Sequence, residues 1–154
     1  MGVLIDNRQT RSNLSLQRIQ ATAQALLSAL DSPDGELSIV IVGDAEMADL
    51  NQIYRNRTGP TNVLAFPMHE GDFSDINPEL LGDVVISMDT TAREAEELGL
   101  TLEQRFNFLL IHGVLHLFGF DHETDDEAEI MDEKTEALFK TIEEYHHGRS
   151  GSQH

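Results

Sequence analysis

Apolar residues recur along this chain in two rhythms, a period of two in short runs and a period near 3.6 in longer ones, and the alternation lays out the elements. Val3-Leu4-Ile5 reads as a short edge strand. Leu16, Ile19, Ala23, Leu26, Leu27 and Leu30 then keep helical spacing behind Ser15, whose hydroxyl suits an N-cap. Pro33-Asp34-Gly35 ends that helix, and Glu36 to Val42 is β-branched and mostly apolar, which predicts a buried strand. Asp44 opens a second helix carrying Met47, Leu50, Ile53 and Tyr54. Asn62 to Phe66 and Gly82 to Ser87 read as two further strands, separated by a long loop over 67–80 that holds Pro67, Gly71, Pro78 and several acids. A loop of that length is often functional, and it is expected to form one lip of a site.

The second half is helical. Asp89 to Glu97 continues to a stop at Gly99, and Thr101 with Gln104 makes a capping-box start for a helix running to about Phe118. Phe106, Phe108, Leu109, Leu110, Ile111, Val114, Leu115, Leu117 and Phe118 make this helix apolar on nearly every side, so it belongs at the centre of the molecule. Thr124 is placed to cap a last amphipathic helix through about Tyr145, and residues 146–154 read as a polar, disordered tail. The pattern predicts an α+β fold, a single domain over 1–154 with a small mixed β-sheet of about four strands packed against about five helices.

The central helix is interrupted by histidine. His112 and His116 lie one turn apart on one face, and Gly119 lets the chain leave the helix so that His122 can swing back toward them. One imidazole in an apolar helix is usually a satisfied core residue. Three at this spacing form a facial tripod, which leaves coordination positions free, as catalytic zinc sites do and closed structural sites do not. The spacing matches the zincin pattern H-E-x-x-H-x-x-G-x-x-H, except that Gly113 stands where those proteases carry their glutamate base, which argues against peptide hydrolysis by that route.

Composition narrows the alternatives. There are no cysteines, so disulfides and thiolate metal sites are excluded and any metal has nitrogen or oxygen ligands. The start, MGVLIDNRQT, lacks a basic region leading into an apolar stretch, and no apolar run approaches the roughly 20 residues of a membrane span, so cytoplasmic residence is the expectation. A formal charge of −18, from 28 acidic and 10 basic side chains, speaks against broad electrostatic binding of nucleic acid. Much of it, however, crowds between Asp121 and Glu136, as on one solvated helix face, whereas Arg55 and Arg57 flank the start of the Pro-Thr-Asn segment. A small cationic spot of that kind accepts a phosphate.

From the residues alone, Arg55 is either a helix-end cation or a phosphate ligand, with Arg57 and Asn62 as further substrate contacts. Asp121 either orients the neighbouring imidazole, acts as a base, or only shapes a turn. Asp83 is read as fixing a turn, and His69, His146, His147 and His154 as spectators.

HGVLHLFGFDH at 112–122, Tyr54-Arg55 followed by Pro60-Thr61-Asn62-Val63-Leu64-Ala65-Phe66-Pro67, and Leu81-Gly82-Asp83-Val84-Val85-Ile86 occur in the order they take in the YbeY family of bacterial endoribonucleases. The chain resembles that family over about residues 36 to 145. The resemblance implies a metal-dependent, single-strand-specific endoribonuclease domain acting in rRNA processing, at the 3′ end of 16S rRNA, and in ribosome quality control. It implies one divalent ion per chain, zinc being expected and nickel or another transition metal the alternative, held by His112, His116 and His122. It also implies a functional role for Arg55, and as partners single-stranded rRNA, the small ribosomal subunit with its proteins, and the GTPase Era, with no membrane. Two rivals are a non-catalytic ribosome-assembly factor with a structural metal and a metalloprotease-like hydrolase.

Overall fold

The computed structural model describes residues 2–10, 14–68 and 79–152, with side chains described through His147. Four strands, β1 (Val3–Asn7), β2 (Glu36–Val42), β3 (Val63–Pro67) and β4 (Leu80–Ser87), form one sheet in the order β1-β2-β4-β3. β1, β2 and β4 run parallel and β3 is antiparallel to β4, so the sheet is mixed, with the short strand β1 on its edge as the pattern predicts. Among the described residues five helices accompany it: α1 (Leu16–Ala29), α2 (Asp44–Arg55), α3 (Met88–Leu98), α4 (Leu102–Leu117) and α5 (Asp125–Ser152). The fold is α+β.

Because successive strand side chains point to opposite faces, each central strand feeds two layers. Ile39, Ile41, Val84 and Ile86 enter the large core with Leu26 and Leu27 of α1, Phe106, Leu110 and Val114 of α4, and Ile142 of α5. Val42, Leu64 and Val85 face the other way and are covered by Met47 of α2. Helix α4 lies against β3, β4 and the helices α1, α3 and α5, and its residues Phe106, Leu110, Ile111, Val114 and Leu115 are fully buried. This is the central apolar helix of the sequence pattern. Its start is the expected capping box: the Thr101 hydroxyl accepts from Gln104 N–H while the Gln104 side chain accepts from Thr101 N–H.

Two glycines are required by close approach. A Cβ on Gly113 would sit 2.6 Å from Val84 Cγ1, so α4 can lie this near β4 only without a side chain there. Gly82 has φ 135°, and a Cβ on it would meet the Phe66 carbonyl oxygen at 2.3 Å, inside the β3–β4 pairing. The beginnings of α2 and α3 are joined through Asp44, whose carboxylate accepts from Ser87 Oγ, Thr90 Oγ1 and Arg93, each at 2.7 Å. Burial acts to raise the proton affinity of Asp44, but these hydrogen bonds outweigh it and hold the group below the ordinary carboxylate value.

Two expectations change. Helix α5 does not stop near Tyr145 but continues to Ser152, so residues 146–152 are helical rather than a disordered tail. The cause is tertiary: His146, read as a spectator, is buried with its Nε2 2.5 Å from Thr22 Oγ1 of α1, which anchors the last turns. In α2 the apolar stripe divides, since Met47 is fully buried while Ile53 is 70% and Tyr54 61% exposed. Most of the 67–80 loop, including His69, Gly71 and Pro78, and His154 lie outside the described residues.

Candidate metal centre

His112 and His116 project from one face of α4 as their spacing dictates, with their Nε2 atoms 3.2 Å apart. After Leu117 the chain turns through Phe118 and Gly119, the latter at φ 95°. Gly119 N–H donates to the His116 carbonyl and Phe120 N–H to the Leu115 carbonyl, the paired bonds of a glycine-ended helix. That reversal returns His122 to the two helical rings, at centroid separations of 5.7 Å from His112 and 5.2 Å from His116. One ring nitrogen from each of the three lies within 4.8 Å of the others.

Protonation favours ligation. Burial lowers the proton affinity of His112 to a pKa of about 4, and the neighbouring His116 and His122 push in the same direction. His116 is lowered too, first by burial and then by His122, with Arg55 adding to the effect. Both rings are therefore neutral near pH 7, the state in which imidazole offers a lone pair. With both rings as Nδ1–H tautomers, the two Nε2 atoms 3.2 Å apart would each have a lone pair available to a shared cation. The donor set fits a divalent transition metal of the zinc type.

Asp121 serves the third ring. Its Oδ1 accepts the backbone N–H of His122 at 2.8 Å and lies 3.3 Å from His122 Nδ1, which leaves Nε2 as the ring's unengaged nitrogen. The backbone N–H first, and the ring second, hold the Asp121 carboxyl below its ordinary value. Of the three roles open in the sequence, this geometry supports ring orientation and turn formation together.

The tripod opens on a cleft of about 1010 Å³, which Arg55, Arg57 and Asn62 also line. Arg55 closes helix α2, ahead of Asn56 in the left-handed conformation at φ 54°, which turns the chain toward Arg57. Residues some sixty positions apart in the chain thus share one cavity with the histidines. Asn62 is also held from behind: its Nδ2 donates to both oxygens of Glu94 at 3.2 Å, and Glu94 also accepts from Arg105 at 2.9 Å. Its Nδ2 thus ties the start of β3 to α3. Asp83 is exposed and borders a separate recess, and His147 is exposed on α5. The residue that sequence reasoning missed is Tyr54, which lines the cleft. Helical period placed it on the second helix with Met47, Leu50 and Ile53, and the left-handed Asn56 ends that helix two residues later.

Comparison with known proteins agrees with this architecture. A solution structure from Thermotoga maritima matches with a TM-score of 0.67 and 25% identity, covering 97% of this chain and 93% of that one. Proteins named endoribonuclease YbeY from Geobacter sulfurreducens and Geobacter metallireducens are each 48% identical over 145 residues, 93% of this chain and 97% of each relative. One from Syntrophotalea carbinolica is 44% identical over 147 residues, 94% of this chain and 98% of the relative. Residues 4–143 match the family described as endoribonuclease YbeY, and since that stretch holds strands β2 to β4, all but the first residue of β1, and the histidine tripod, the chain belongs to the YbeY family.

Proposed function

We propose that this protein is a metal-dependent endoribonuclease that cuts single-stranded RNA, with His112, His116 and His122 holding one divalent ion, zinc before nickel or another transition metal. The observation that carries the reading is the convergence of three imidazole donors and Arg55 on one open cleft. The relatives' shared name, endoribonuclease YbeY, supports the substrate class.

A divalent ion held by His112, His116 and His122 would supply Lewis acidity toward a phosphate oxygen and would lower the pKa of water. The chain's own residues do the rest. Burial keeps His112 and His116 unprotonated, and Asp121 holds the His122 ring in one orientation. Arg55 offers a planar two-pronged donor that grips two phosphate oxygens and neutralises the charge growing on them. Arg57 adds a second cation for the neighbouring phosphate. Against the strongly acidic rest of the molecule, two arginines make a local site rather than a long basic track, so firm binding depends on a docked assembly. The family resemblance extends the reading to the 3′ end of 16S rRNA, ribosome quality control, the small subunit and the GTPase Era as partners, and the cytoplasm as the compartment. Among the described residues no helix is long and apolar enough to cross a membrane.

The metalloprotease alternative loses ground at Gly113, where any side chain would collide with Val84 and no glutamate base can be carried. The purely structural metal loses ground because the ligands face an open cleft and His122 is exposed. The test is cleavage of matched single- and double-stranded RNA by metal-loaded protein and by its Arg55→Ala variant. The parent is expected to cut only the single strand. Arg55→Ala is expected to keep its metal and fold while kcat falls ~100-fold or more, as for loss of a charged donor to developing negative charge. Cleavage at the parent rate by the metal-replete variant would remove Arg55 from the mechanism.

A further inference from the structure

Tyr54 and Phe66 both line the metal cleft and both also line a second recess of about 350 Å³ on the other sheet face, so the pair forms the ridge between the two cavities. Their rings meet edge to face, with centroids 5.2 Å apart and planes at 70°. That contact fixes the Tyr54 ring, yet the residue remains 61% exposed. A large, oriented aromatic surface left open to solvent is a preformed partner for another planar ring. The recess beside it is lined by the apolar side chains of Val40, Leu50 and Val85 together with the charged Arg8 and Asp83. Arg8 is taken up by Asp6 at 2.8 Å and Glu46 at 2.6 Å, so the recess is not built to take a phosphate. An apolar face with polar atoms at its edge is the surface of a nucleobase. The phosphate grip is one residue away, at Arg55, on the same helix end.

We propose that Tyr54, backed by Phe66, is a stacking subsite for one unpaired nucleobase next to the phosphate held at Arg55. The inference rests on the reading of the cleft as a ribonuclease site and supplies its preference for single strands. A base inside a duplex has its faces covered by neighbours and its edge by its partner, so it cannot be laid on Tyr54 without being unpaired. Stacking is also tolerant of base identity, so this subsite selects strandedness rather than sequence.

The probe is a short single-stranded RNA carrying 2-aminopurine at one position at a time, bound to the metal-loaded protein. The chain has no tryptophan, so its own emission does not mask the signal. At one position next to the cut, quenching on binding is expected with the parent and with Tyr54→Phe, and not with Tyr54→Ala. Tyr54→Ala should raise KM for cleavage roughly 5- to 150-fold while changing kcat less, as for loss of one stacked base. Replacing that base by an abasic ribose should bring the parent to the KM of Tyr54→Ala and leave Tyr54→Ala unchanged, a coupling that a merely structural tyrosine would not give. Should Tyr54→Ala melt early, Tyr54→Leu removes the ring with less loss of bulk and is read by the same measures. A parent that cuts single-stranded RNA, with no quenched position and an unaltered KM in Tyr54→Ala, overturns the subsite and leaves the ribonuclease reading standing. A parent that neither binds nor cuts RNA overturns both.

Discussion

At residue scale the arrangement around His122 joins two tasks in one oxygen atom. Asp121 Oδ1 closes a turn by accepting the next backbone N–H and, through the same atom, faces His122 Nδ1. A ring held this way offers a fixed nitrogen to a cation and becomes a better donor, because the carboxylate stabilises the positive charge drawn onto the imidazole. Asp121→Asn should therefore lower metal affinity by ~10- to 100-fold with little change in fold, read by competition titration against a chelator of known affinity. An affinity equal to the parent's would exclude the orienting role. Asn62 also joins two tasks, since the side chain that lines the cleft ties the start of β3 to α3 through its Nδ2 bonds to Glu94.

At element scale the decisive object is α4, which must be apolar enough to fill the core and still present two imidazoles on one side. Its approach to the sheet at Gly113 makes both conditions compatible. Gly113→Ala separates two effects of opposite sign. Alanine is a better helix former than glycine by about 1 kcal/mol, which alone would stabilise. The new Cβ would meet Val84 Cγ1 at 2.6 Å, and valine is both stiff about χ1 and, here, fully buried. Overpacking of that kind costs about 1–3 kcal/mol, so the clash should win and the variant should melt several degrees below the parent. A variant as stable as the parent would mean that α4 can lift from β4 at no cost.

At the scale of the whole molecule the site and the stability are coupled, because two of the three histidines sit on the core helix. Removing a bound ion with a chelator should lower Tm, since a ligand that binds only the folded chain stabilises it. The metal-free protein should also be acid-sensitive in a defined window. His112 has a pKa of about 4 in the folded chain against 6.5 for an ordinary imidazole, so as pH falls the unfolded chain takes up the proton first. Its contribution is full above about pH 6.5 and is lost progressively toward pH 4, with His116 acting in the same direction. For a part-exposed ring this is on the order of 1–3 kcal/mol, seen as a falling urea midpoint of chelated protein between pH 7 and pH 4.5. A flat midpoint across that range would contradict the burial of His112.

Much of this was legible without a structure, for a physical reason: it depends on contacts made within a few residues of one another. The Thr101 and Gln104 capping box, the Ser15 cap, the glycine stop after α3 and the spacing of His112, His116 and His122 around the Gly119 reversal are local, and the period of the apolar positions is fixed by backbone geometry. So the four strands and five helices of the described residues, and the clustering of the three histidines, could be read from the chain. What local chemistry could not decide is what meets across the core. The extension of α5 depends on Thr22 receiving His146 from 124 residues away. The tying of Asn62 depends on Glu94, and the exposure of Tyr54 on how little sheet α2 covers, with Phe66 of another element beside it. Periodicity tells which face of an element is apolar, but only the tertiary structure supplies or withholds the surface that buries it.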